Sequence, residues 1–222
     1  MGFALNDGVH FCLANDQTTF IDLKSGRYLA LPPALDQVFH RMLANDTMGP
    51  ADLEQINDLL SAGVLKASPT DQPPKPTEPP AVPFADSLGA TARPNPWLTA
   101  KAVLIQFRVR QELRRSPLKA VLDDLTRRRQ IARISRPLAD VGDAGTVFSS
   151  YLHTRSIIPI KDQCLPWSLA MTRYLIGLGI EANLVLGVRR KPWAAHAWVQ
   201  AGNTVLSDYC DIVRPFTPIM VA

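Results

Sequence analysis

Cysteine is scarce in this chain, with three in 222 residues: Cys12, Cys164 and Cys210. The number is odd and none of the spacings suits a metal site, so neither a disulfide framework nor a structural metal organises the fold. Free thiols of this kind fit a reducing, cytoplasmic setting. The chain has no run of 18 apolar residues, so no membrane-spanning helix is expected. Its opening, Met1 to Asp7, lacks the charged stretch and apolar core of a secretory signal. No Gly-x-x-x-x-Gly-Lys loop is present to cradle a nucleotide phosphate. Aromatic residues make up only 7%, and none stands near the densest basic point, Arg127-Arg128-Arg129, for stacking on bases.

Apolar residues amount to 46%, enough to bury a core. The net charge of +4 is unevenly placed. Residues 1–67 carry four Lys/Arg against eight Asp/Glu, which leaves the remainder at +8. Proline is just as uneven: nine of the 19 fall between Ser68 and Pro96. Such a stretch favours extended polyproline-like chain and cannot build a core. The sequence therefore divides into a first unit at 1–67, a proline-rich linker at 68–96 and a second unit at 97–222. The linker is either a passive spacer or a tether that lets a peptide held on one unit reach the other.

In the first unit, Val9, Phe11 and Leu13 alternate with more polar neighbours, and Asn15-Asp16-Gln17 reads as a turn. Thr19 to Leu23 and Arg27 to Leu31 are two more strands, separated by Lys24-Ser25-Gly26. Pro33 opens a helix with Leu35, Val38, Phe39, Met42 and Leu43 on one face. A second helix starts near Pro50 and stops at Gly63. Strands followed by helices in so short a unit suggest a small winged-helix-like domain. A net charge of −4 argues against nucleic acid, because DNA binding rests on neutralising phosphates. An open sheet edge that accepts an extended peptide as an added strand fits better.

In the second unit, helices are expected from Trp97 to Arg115, after Ser116-Pro117, and from Asp143 to Arg155. Residues 101–136 hold eleven Lys/Arg and three acids, Glu112, Asp123 and Asp124. A solvated helix face explains that run most simply; a docking surface for an acidic partner is the alternative. A further helix begins at or near Cys164, with Pro166 in its first turn. The N–H groups and dipole at a helix start favour a thiolate, which is the nucleophilic form of cysteine. Glu181 to Val188, Trp193 to Gln200 and Thr204 to Asp208 read as three strands, with Ala201-Gly202-Asn203 as a hairpin turn. This spacing places His196 and Asp208 on neighbouring strands facing Cys164. Cys, His and Asp supply a nucleophile, a base and a group that orients the base. Asp211 competes with Asp208 for the third role. Cys12 and Cys210 read as structural, His10, His40 and His153 are given no chemistry, and Trp193 and Trp198 as core or cleft wall.

A helix bearing cysteine, then a histidine strand, then an aspartate strand resembles the transglutaminase/papain-like superfamily. More narrowly, Asp162-Gln163-Cys164-Leu165-Pro166, Gly179-Ile180-Glu181-Ala182 and Ala195-His196-Ala197-Trp198-Val199 resemble the lasso-peptide biosynthesis B proteins. The first unit resembles the PqqD-like leader-recognition element of ribosomal peptide maturation. These resemblances imply an α+β fold: a small winged-helix-like domain, the linker, and a transglutaminase/papain-like domain with helices packed on an antiparallel sheet. They imply a cysteine protease with catalytic Cys164, His196 and Asp208 that cleaves a lasso precursor at the leader–core junction. A Thr just before the cleaved junction residue, read by a small pocket, is implied too. The leader would pair with the third strand, at Arg27, Tyr28 and Leu29. The implied partners are the precursor leader and an asparagine-synthetase-like cyclase. No cofactor or metal is implied for this chain, and any need for ATP would belong to the cyclase. A transglutaminase-type acyl transferase and a non-catalytic peptide-binding scaffold are the alternatives.

Overall fold

The computed structural model describes residues 2–70, 72–83, 85–86, 92–135, 144–158 and 163–222. Two compact units emerge, Met1–Glu78 and Pro79–Ala222.

In the first unit, β2 (Val9–Ala14), β3 (Gln17–Asp22) and β4 (Arg27–Ala30) form an antiparallel meander in that order. The β2–β3 turn is tight because Asn15 and Asp16 both take positive φ, which Asn and Asp tolerate better than most residues. Alternation points Val9, Phe11 and Phe20 inward, where they meet Val38 and Phe39 of α1 (Pro33–Leu43). Ile56 and Leu59 of α2 (Pro50–Ser61) close the same core. Phe39 stands edge-on to Phe11 and Phe20, with ring centroids 5.3 and 5.1 Å away. A second, two-stranded sheet pairs β1 (Gly2–Leu5) with β5 (Leu65–Ser68). The linker is tied to the meander at one point: the Thr77 N–H bonds the Phe11 carbonyl on β2, 2.9 Å away.

The second unit is built on a five-stranded sheet of order β10-β7-β8-β9-β6. Its members are β6 (Ala85–Asp86), β7 (Asn183–Arg189), β8 (Ala194–Ala201), β9 (Thr204–Val205) and β10 (Thr217–Val221). Four helices accompany it: α3 (Pro96–Arg115), α4 (Leu118–Ser135), α5 (Ala144–His153) and α6 (Cys164–Ile176). A short α7 (Cys210–Val213) follows β9. Between Trp167 and Ile176 only Arg173 of α6 escapes full burial, since the helix packs against both α3 and β8. Mixed α+β architecture, with helices against a mainly antiparallel sheet, is what the sequence led us to expect here.

Several expectations change. Part of the proline-rich stretch does not hang free: Ala85–Asp86 is an edge strand, parallel to β9. Carbonyls of Ala81 and Pro83, which need no N–H of their own, accept from Gln200 and Arg214. Helix α3 buries Thr99, Ala102, Gln106 and Val109, while Leu104 and Phe107 face outward. Trp198 is core, but Trp193 is 51% exposed and does not line the cleft described below. The basic run is partly neutralised from within. Asp124 pairs with Arg127, Arg128 and Arg173. The expected helix start Asp143, and the Pro159 to Asp162 lead-in to Cys164, lie outside the described residues.

Candidate active site

Cys164 is the first residue of α6, with the N–H of Leu165 beside its sulfur. Four residues on, and so on the same helix face, Ser168 donates from Oγ to the Ala197 carbonyl of β8 at 2.9 Å. That bond fixes the helix start against the strand beside His196. The Ala197 N–H also reaches the Cys164 sulfur, as does the His196 ring.

His196 sits on β8 opposite Gly187 of β7. Phe216 and Trp198 wall its ring, with centroids 5.3 and 6.3 Å away. Its Nε2 lies 3.0 Å from Asp208 Oδ2, which leaves Nδ1 for the sulfur. The structure thus brings Cys164, His196 and Asp208 into one cluster. It lines a cleft of about 530 Å³ together with Arg155, Gln163, Trp167, Ser168 and Ala195. Asp211 instead pairs with Arg214 at 3.2 Å.

Asp208 does not end a strand, as the spacing suggested. β9 stops at Val205, and the ladder to β8 gives way to other bonds. The Leu206 N–H still reaches the Val199 carbonyl, but the Val199 N–H turns to the side chain of Ser207, 2.9 Å away. Asp208 is thereby swung out of the sheet and onto the imidazole.

Electrostatics follow from this geometry. Burial pushes the Cys164 thiol up, but the His196 hydrogen bond, the Ala197 and Leu165 N–H groups and the His196 charge together bring it below its usual 9.0. Burial pushes His196 down, but hydrogen bonds and charge from Asp208 and Cys164 outweigh that and raise it from 6.5 to about 9. Each partner stabilises the charged form of the other. The pairing therefore favours a thiolate beside an imidazolium, the state from which cysteine attacks a carbonyl.

Arg155, Ser168 and Ser207 were not singled out from sequence. Only Ser168 carried a signal there, its spacing of four from Cys164. Arg27, Tyr28 and Leu29 lie far from this cleft in the chain, on β4, an end strand of the meander. Leu29 is 43% exposed.

The family description "Transglutaminase-like superfamily" matches residues 102–221. The chain belongs to the transglutaminase-like superfamily. A 48-residue stretch is 44% identical to the microcin J25-processing protein McjB of Escherichia coli. It covers 22% of this chain and 23% of that protein, so the match spans about a quarter of the relative's length. No solved structure matches the chain. Among the described residues of this transglutaminase-like chain, no helix is long and apolar enough to cross a membrane. No group of three His, Cys, Asp or Glu among them could hold a metal ion.

Proposed function

We propose that this chain is a cysteine peptidase that removes the leader from a lasso-peptide precursor. The cluster of Cys164, His196 and Asp208 in an accessible cleft carries the reading. Similarity to a microcin-processing protein supports the class of substrate. In the reaction, the Cys164 thiolate attacks the carbonyl carbon at the leader–core junction, and N–H groups at the start of α6 steady the oxyanion. The C–N bond breaks as the His196 imidazolium gives its proton to the departing core amine. Water then attacks the thioester, His196 takes its proton, and the leader leaves as a carboxylic acid. Asp208 holds the tautomer throughout. A Thr just before the cleaved junction residue would be read in this cleft. The freed core amine passes to an ATP-using, asparagine-synthetase-like cyclase, which joins it to an acidic side chain.

The first unit is the leader-recognition domain in this reading. Its sheet has two end strands, β2 and β4. The Thr77 N–H already occupies a carbonyl of β2, so β4 is the better edge for an added strand. Arg27, Tyr28 and Leu29 are the proposed contacts. Two units joined through residues 68–96 suit a substrate held at one place and cut at another.

The test is mass spectrometry of precursor incubated with the chain, with and without a primary amine. Leader acid plus a core with a free N-terminus is expected in both. An amine adduct at a glutamine side chain, with the backbone intact, would mark an acyl transferase instead.

A further inference from the structure

Two residues separate the end of β9 from Asp208, and no sheet ladder holds that segment. We propose that Arg155 and Ser207 form the clamp that keeps Asp208 on His196, with Arg155 a positioning residue of the site. This rests on the reading of Cys164, His196 and Asp208 as one reacting unit.

Ser207 is fully buried, and its Oγ accepts from the Val199 N–H at 2.9 Å. Its carbonyl accepts from Arg155 Nη2 at 2.7 Å. That carbonyl belongs to the peptide group leading into Asp208, so the Arg155 bond fixes the plane from which the carboxylate projects, while the Oγ bond anchors the residue before it. Arg155 is itself fixed. It comes from the 3-10 turn Thr154–Ser156, and its guanidinium lies over the Trp167 ring, 5.2 Å from the centroid. Trp167 is three residues beyond Cys164 on α6. One guanidinium therefore ties the helix that bears the sulfur to the loop that bears the carboxylate. A lysine cannot do both, because a compact ammonium lacks the planar fork that stacks and donates together.

The clamp makes a prediction whose sign separates it from its rivals. The charged groups around the His196 ring are Asp208, Cys164 of α6, Arg155 of the 3-10 turn, and Arg189 of β7, which sits over Phe216. If Arg155 acted only as a nearby cation, its removal would relieve repulsion and raise the His196 pKa. If it holds Asp208 in place, removal frees the carboxylate and lowers that pKa. The experiment is nuclear magnetic resonance titration of His196 in the full chain, as wild type, Arg155→Met and Arg155→Lys. A fall of about one unit or more is expected in Arg155→Met, a tenfold loss in proton affinity. A smaller fall is expected in Arg155→Lys. Cleavage by Arg155→Met should lose about 10- to 100-fold in kcat with KM little changed. A rise in the His196 pKa, or no change, overturns the proposal. Should Arg155→Met not fold, Arg155→Lys decides: with charge retained, a wild-type titration overturns the clamp. The titration needs no substrate, so its outcome is separate from whether wild-type chain cuts a precursor.

Discussion

A Cys164→Ala chain binds precursor as wild type does and leaves it uncut. The substitution removes one sulfur from a half-buried position at the head of α6, where alanine is a good helix former. Ser168 keeps its bond to Ala197 and His196 keeps Asp208, so the cleft stays assembled. What disappears is the sulfur proposed to form the acyl intermediate. Loss of a nucleophile that works with a base costs on the order of 10⁶-fold in kcat. Binding is assigned to β4 of the other unit, so affinity should not move. The converse pair makes the division of labour explicit. Adding Arg27→Glu and Leu29→Asp to the alanine chain should weaken binding at least about tenfold, which corresponds to ~1.4 kcal/mol. Cleavage products from the alanine chain, measured by chromatography at high enzyme concentration, would remove Cys164 from the chemistry.

Gly187→Ala is expected to damage the site without touching any reacting group. Gly187 lies on β7 directly opposite His196. A Cβ added there would stand 2.6 and 2.8 Å from two ring carbons of Trp198, and 3.0 Å from Cβ of Phe216. Both side chains flank the imidazole, and Trp198 is held further by its bond from Nε1 to Gln200. The ring cannot simply rotate aside, because it is 2% exposed within a packed cluster with Val185, Val205 and Val213. Overpacking of this kind costs roughly 1–3 kcal/mol, occasionally more. Thermal denaturation should show a drop of several degrees, on the order of 2–4 °C per kcal/mol for a chain of this size. Activity should fall with it, since the wall behind His196 moves. An unaltered melting temperature would mean that Trp198 does not pack over Gly187 as described.

What could be read from sequence, and what could not, divides on locality. The meander and the two helices that follow it were legible because the alternation of Val9 and Phe11, and prolines at 33 and 50, are local signals, although Leu13 of that alternation faces out while Cys12 and Ala14 are buried. Helix α6 and the strand bearing His196 were legible for the same reason. The pairing of β1 with β5 was not, since Gly2 meets Ser68 only after the whole unit has closed. Nor was β6, because proline-rich composition argues against a strand until a neighbouring edge supplies the donors. Helix α3 misled: its bulky residues Leu104 and Phe107 face out, while Thr99 and Gln106 are buried on bonds to Ser150 and Thr154. Composition alone cannot reveal a polar face that is satisfied by partners some 50 positions away. At the site, the order Cys, His, Asp was visible in the chain. The means of holding Asp208 was not, because it depends on Arg155 and Ser207 meeting across 52 residues.

The most direct measurement is the rate at which iodoacetamide labels Cys164 as a function of pH, followed residue by residue in the full chain. Cys12 and Cys210 are buried and serve as internal references. A thiol at the usual 9.0 is only about 0.1% ionised at pH 6. Paired with His196, Cys164 should label rapidly at that pH, and the His196→Gln chain should lose this reactivity. Labelling that sets in only in the ordinary thiol range, and is indifferent to the histidine, would contradict the account.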